Sequence, residues 1–228
     1  MGVPIGALGH PESMAETCDP AHELPMFPLG AALLPGEPLP LHVFEPRYLD
    51  LVKHCLQSDR RFGVVLIERG SEVGGGDIRT DVGTAVEIVE HHRVGPQRFS
   101  LHCRGISRIR VSRWLTDSPF PRALVTPWPD QPFVGDWADQ RDHIIAAREE
   151  LLELWRELAA RASRRAPEPL PLVLPDDPSD CSFALAAALP LSQADRHRAL
   201  AATDIGERVR ILGEAAADVA AALRFRLL

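Results

Sequence analysis

Residues 40–56 read Pro40-Leu41-His42-Val43-Phe44-Glu45-Pro46-Arg47-Tyr48-Leu49-Asp50-Leu51-Val52-Lys53-His54-Cys55-Leu56. They hold a His, a Glu, an Arg, a Tyr, a Cys and the chain's only Lys. Such a mixture invites an active-site reading, but each residue has a local structural reason. His42 to Phe44 end a strand. Pro46 has φ near the helical value and no N–H to leave unpaired, which suits the first position of a helix. Tyr48, Leu51, Val52, Cys55 and Leu56 then recur at helical spacing and form one apolar stripe. Glu45 stands at the helix start, where a carboxylate interacts favourably with the dipole. Arg47 lies in the same turn, within reach of Glu45 or Asp50. The stretch predicts a strand-to-helix junction.

On either side of this junction the first half reads as β-structure. Residues 23–44 are apolar but punctuated by Pro and Gly, too broken for a helix. Phe62 to Glu68 is a short β-branched run, as in a buried strand. From Val82 to His91, Thr84, Val86 and Ile88 alternate with Ala85, Glu87 and Val89. Two further strands follow, split at Gly105, and residues 121–128 close the set. Short strands at this spacing point to a barrel or a sandwich. The Gly74–Gly76 loop reads as a long hairpin connection.

The period changes after the Pro-rich stretch Pro127–Phe133, which cannot continue a strand. Ile144, Ala147, Leu151, Leu154 and Leu158 mark an amphipathic helix. A second helix is expected behind a Ser/Asp cap at 179–180. Ser192 with Asp195, and Asp204 with Glu207, have capping-box spacing. Ile205, Val209, Leu212, Ala216, Val219 and Leu223 make the stripe of the last helix. The fold class is therefore α+β: a tail over 1–22, a β subdomain over 23–128 and a helical bundle over 136–228.

Composition sets outer limits. The chain has 228 residues, 45% of them apolar and 25% charged, as in soluble globular proteins. Its net charge of −7 disfavours nucleic acid as a partner. No apolar run is long enough to span a bilayer and no secretory leader is visible, so the expected location is cytoplasmic. Cys18, Cys55, Cys103 and Cys181 are scattered, which suits reduced structural thiols rather than a disulfide framework. The Arg, Ala and Pro bias reflects a GC-rich genome.

Catalytic patterns are missing. No G-x-x-x-x-G-K-[ST] loop precedes Lys53, and no G-x-S-x-G elbow occurs. Nothing specifies a Ser partner for Lys53. Neighbouring helical side chains diverge, so His54 and Cys55 form no dyad. His91, His92, His102 and Cys103 match no zinc spacing, and alternation sends His102 and Cys103 to opposite faces. A small-molecule site built from His42, Glu45 and Arg47 competes with their helix-start roles. The sharpest local feature is a strand on which Arg104, Arg108 and Arg110 share one face. It is either an exposed polar face or a phosphate-contacting surface, although it lacks aromatics for base stacking. No cofactor, metal or catalytic residue is expected.

The order of these features resembles the N-terminal substrate-binding domain of Lon proteases. The likeness is carried by Leu41, Phe44, Glu45, Pro46, Arg47 and Tyr48, and by Asp81, Gly83 and Thr84 at the next strand start. It extends over about residues 23–225. The resemblance implies a PUA-like β-domain followed by helices, with the signature residues acting mainly as fold determinants. It also implies recognition of unfolded or tagged polypeptide segments or of a protein partner, alongside a separate ATPase or protease, with no catalytic residue in this region. RNA binding through Arg104, Arg108 and Arg110 is the alternative.

Overall fold

Five strands close on themselves, which settles the choice between barrel and sandwich. The computed structural model describes residues 21–70, 78–95, 97–165 and 171–228. The strands are β1 (His22–Leu29), β2 (Pro38–Val43), β3 (Arg61–Arg69), β4 (Ile78–Arg93), β5 (Phe99–Trp114) and β6 (Arg122–Pro127). Their order is β2-β5-β4-β3-β1-β6, and β5 also pairs with β6, so β1, β3, β4, β5 and β6 form a ring. Only β1 and β3 run parallel; the remaining pairs are antiparallel. β2 sits outside the ring on β5. Its Pro38 and Pro40 lack the N–H groups that would make its free edge a template for another strand. Cys18, Gly74–Gly76 and most of the tail lie outside the described residues.

The opening stretch forms the expected junction. α1 (Pro46–Gln57) starts with Pro46 in its first turn, and Tyr48, Leu49, Leu51, Val52 and Cys55 are buried. The Glu45 carbonyl accepts the N–H groups of Tyr48 and Leu49. Arg47 Nε donates to Glu45 at 3.2 Å, whereas Asp50 pairs with Lys53. The Tyr48 ring stacks on Phe27 at 4.0 Å, and with Phe62, Val64, Val86, Ile88, Leu101 and Cys103 this is the core under α1. A second core joins Leu24, Met26, Val65, Ile109, Val111, Ala123 and Val125 from β1, β3, β5 and β6.

The two stretches separated at Gly105 in the sequence are one sixteen-residue strand, β5. Gly105 is needed there because a Cβ would sit 2.7 Å from the Leu34 carbonyl oxygen. Thr84, fully buried, donates its hydroxyl to the Leu33 carbonyl at 2.6 Å, so β4 and β5 together seat the 33–37 turn. Gly83 is tighter still: a Cβ would stand 2.2 Å from the Val64 carbonyl oxygen and 2.7 Å from Val65 Cγ1. Because the first obstacle is backbone, Gly83→Ala is expected to cost about 2–3 kcal/mol. That would lower the Tm by about 5–10 °C in a chain of this length. An unchanged thermal unfolding curve would show that β3 and β4 part freely at this point.

The helices are α2 (Trp137–Arg161), α3 (Pro178–Ala187), α4 (Gln193–Ala201) and α5 (Ile205–Leu227). α4 and α5 take Ser192 and Asp204 as N-caps, accepting from the N–H groups of Asp195 and Glu207. Glu207 in return accepts from the Thr203 N–H and hydroxyl, which hold its carboxyl below the usual carboxylate range. α3 begins earlier than expected: Asp177 is its cap and Pro178 its first residue, which frees Ser179 for another partner. The helical core centres on Ile144, Leu151, Phe183, Leu185, Leu200 and Leu212, and it includes Leu34 and Val82 from the β side. Among the described residues no helix is long and apolar enough to cross a membrane.

Candidate functional site

Arg104, Arg108 and Arg110, the arginines of β5 read as one face, end in three different places. The pairings Ala85↔Ser107 and Val86↔Gly105 leave Ile106 as an extra residue on β5. Such a bulge reverses the in–out alternation beyond it. Arg104 therefore does not share a face with Arg108 and Arg110, and the common cationic surface expected from the sequence does not form. Arg110 lies 3.9 Å over the Trp128 ring and 3.7 Å from Asp81. Arg108 is buried. Arg104 stays exposed, and its side chain has no hydrogen bond or ion pair to any described residue.

Arg108 belongs to a joint between barrel and helices. It donates to Asp130 and to the carbonyl of Leu200 at 2.8 Å, and also to that of Ala202. Arg208, fully buried on α5, contacts both oxygens of the same carboxylate, Ser182 Oγ at 2.7 Å and the Ala199 carbonyl at 3.1 Å. Ser179 donates its hydroxyl to Asp130 Oδ2. The Phe183 ring lies under both guanidinium groups, 3.7 Å from Arg208 and 5.6 Å from Arg108. Burial pushes the Asp130 carboxyl up, but the bonds from Arg208 and Ser179 and the two positive charges more than compensate, so it is held below the usual range. Burial, opposed by Asp130 and aided by Arg208, lowers Arg108 to about 10. A second bridge joins Glu37 to Arg196, whose Nε also donates to the Ala32 carbonyl.

Beside this joint runs a trough. A cavity of about 840 Å³ opens between the 35–38 turn, β5 at Arg104–Ile106, α2 at Arg148 and Leu152, residues 171–175 and α3. α3 and its C-cap turn Asp180, Ala184, Ala187 and Ala188 toward it, and the three small alanines leave the volume. A second hollow of about 580 Å³ continues over Leu39, Pro40, Val89, Glu90 and His102. Gly36, Pro38 and Arg104 line both. The 35–38 wall is braced: Gly36 N–H donates to the Gly105 carbonyl, Gly105 N–H to that of Glu37, and Leu34 N–H to the Glu37 carboxylate. Ile106, placed outward by the bulge, and Val173 give the trough exposed apolar surface.

The other sequence candidates lie elsewhere. None of Leu41, Phe44, Glu45, Pro46, Arg47, Tyr48, Asp81, Gly83 or Thr84 lines either hollow. Leu41 packs at the margin of the core under α1 and Asp81 is exposed beside Arg110. His42 is exposed on β2, apart from the Glu45–Arg47 pair. His91 and His92 are exposed, and His102 and Cys103 point to opposite sides of β5. Among the described residues no group of three His, Cys, Asp or Glu side chains is placed to hold a metal. Burial pushes the thiols of Cys55 and Cys103 up to about 12, so both stay protonated at neutral pH, the reverse of what a nucleophile needs. Sequence reasoning missed Asp130, Ser179 and Arg208. The one signal was Arg208 itself, a cation set inside the Ile205–Val209–Leu212 stripe.

Comparison with known proteins places this architecture. The family model described as the ATP-dependent protease La (LON) substrate-binding domain matches residues 23–217. The Lon protease of Anaeromyxobacter dehalogenans is 30% identical over 162 residues, 69% of this chain and 19% of that protein. Protein cereblon of Danio rerio is 24% identical over 251 residues, 84% of this chain and 55% of that protein. A crystal structure of a Lon N-terminal domain protein from Xanthomonas campestris superposes with a TM-score of 0.57 at 28% identity, covering 84% of this chain and 96% of that one. The chain spans about a quarter or less of the Lon proteases that it resembles. With the matched span running from β1 into α5, it belongs to the family of Lon substrate-binding domains.

Proposed function

We propose that this chain is a non-catalytic recognition module. It takes unfolded or tagged polypeptide segments, or one partner protein, without ATPase or peptidase activity of its own, and works in the cytoplasm alongside a separate ATPase or protease. The observation that carries this reading is the trough between barrel and helices, where apolar side chains are exposed beside a braced wall. Concave, mostly apolar hollows are where proteins preferentially take ligands. Burial of Arg108 in the joint removes the main support for RNA binding through Arg104, Arg108 and Arg110.

Fluorescence anisotropy tests the proposal with a labelled unfolded polypeptide and a labelled RNA, each at low and high salt. Binding of the polypeptide that persists at high salt is the expected result, since apolar burial is not screened. Ile106→Asp is expected to weaken that binding about tenfold by placing a charge against apolar ligand surface. RNA binding that falls steeply with salt, with no polypeptide binding, overturns the proposal.

A further inference from the structure

We infer that the trough takes its ligand as an added strand, paired main chain to main chain with Leu172–Leu174, and that it favours apolar segments flanked by Lys or Arg. The inference rests on the polypeptide-binding reading and specifies how that site would work.

The first observation is an unpaired length of backbone. From Pro171 to Pro175 exposure alternates, with Leu172 and Leu174 set against the helical core and Val173 turned outward, 78% exposed. This is the periodicity of an extended chain. The segment nevertheless belongs to no sheet, and the N–H groups of Leu172, Val173 and Leu174 meet no acceptor among the described residues. Backbone donors and acceptors in native proteins find partners in protein or water. Here Leu172 and Val173 line a largely apolar hollow, so a ligand brings most to the site if it brings a main chain. Strand addition of this kind draws affinity from the backbone and selectivity from alternate side chains. The usual place for strand addition, the free edge of β2, is blunted by Pro38 and Pro40.

The second observation is charge. Glu37 and Arg148, both in the wall, are matched by Arg196 and Glu149. Glu87 lies between Arg104 and Arg61 in cross-strand register, so positive charge stands on both its sides. Two lining carboxylates remain unmatched: Glu90, opposite His102 in the second hollow, and Asp180, at the start of α3 in the first. They belong to different parts of the trough; between them stand Arg104, which lines both hollows opposite Glu87, and apolar residues such as Ile106 and Leu152. A segment with an apolar centre and basic flanks complements that distribution, and the chain's net charge of −7 acts in the same direction.

Labelled apolar peptides, flanked by Lys or by Glu, test this by anisotropy against the full chain. The Lys-flanked peptide is expected to bind about fivefold more tightly at low salt. Two further Lys-flanked peptides carry N-methyl groups on alternate residues, in opposite frames. Only the frame that faces residues 172–174 is expected to lose affinity, by about tenfold. Val173→Pro, which removes an N–H that the folded chain does not use, should weaken binding about fivefold with an unchanged Tm. Equal binding of both N-methyl frames, or preference for the Glu-flanked peptide, overturns this inference and leaves polypeptide recognition standing. No binding of the unmodified peptides overturns both.

Discussion

Asp130→Ala is expected to cost the fold about 3–5 kcal/mol, because it leaves two buried guanidinium groups without their shared carboxylate. In a chain of this length that lowers the Tm by about 10 °C. The side chains of Arg108 and Arg208 are 3% and 0% exposed, so water cannot stand in for the lost oxygens. Arg108 comes from the barrel and Arg208 from the last helix, so the damage falls on the joint between them. The cleavage pattern under limited proteolysis should therefore change, with new cuts near residues 127–136 and an intact barrel. A Tm within two degrees or so of the wild type would mean that the apolar interface through Leu34 and Val82 suffices without the ion cluster.

The same carboxylate sets a pH dependence whose sign is fixed. Its folded pKa lies below the unfolded value, so its stabilisation is present above about pH 4 and is lost as pH falls through the folded value. Asp130→Asn should thus differ most from the wild type near neutrality. The gap should close on acidification below about pH 4, as the wild-type carboxyl takes up its proton. Denaturant unfolding at several pH values measures this directly. A gap that stays constant down to the acid limit would show that the amide fails for reasons of shape rather than charge.

What could be read in advance follows the range of the interaction. The junction at residues 40–56 was legible because Pro46, the Tyr48–Leu51–Cys55 stripe and Glu45 act within a turn or two of one another. The caps at Ser192 and Asp204 were legible for the same reason. Alternation along β5 failed at Ile106, because a bulge is set by the partner strand and by the turn pressed onto Gly105, neither of which β5 encodes by itself. The Asp130 joint was hidden more deeply. Its partners stand 22 and 78 residues away, and the Pro-rich setting of Asp130 reads as a linker. The trough shows the same limit: the alanines of α3 look like ordinary helix formers until the fold sets them opposite β5. The Pro-rich run around residues 171–175 reads as a helix breaker, and its alternating burial emerges only when the helical core is present to receive Leu172 and Leu174.

Within the opening signature, Tyr48→Ala and Phe44→Ala should have very unequal consequences, although the resemblance treats both mainly as fold determinants. Tyr48 is 3% exposed, stacked on Phe27, with the Arg47 guanidinium 4.5 Å from its ring centre. Truncating it opens a cavity under α1 and removes an aromatic pair, at an expected cost of about 3–5 kcal/mol. Phe44 is 59% exposed between the end of β2 and the start of α1, and its truncation should cost less than about 1 kcal/mol. Paired Tm measurements decide the matter. A large loss at both positions would make the stretch a single folding element, with the Phe44 ring covering backbone that α1 needs shielded. A loss at Tyr48 alone divides the signature between the core and the surface.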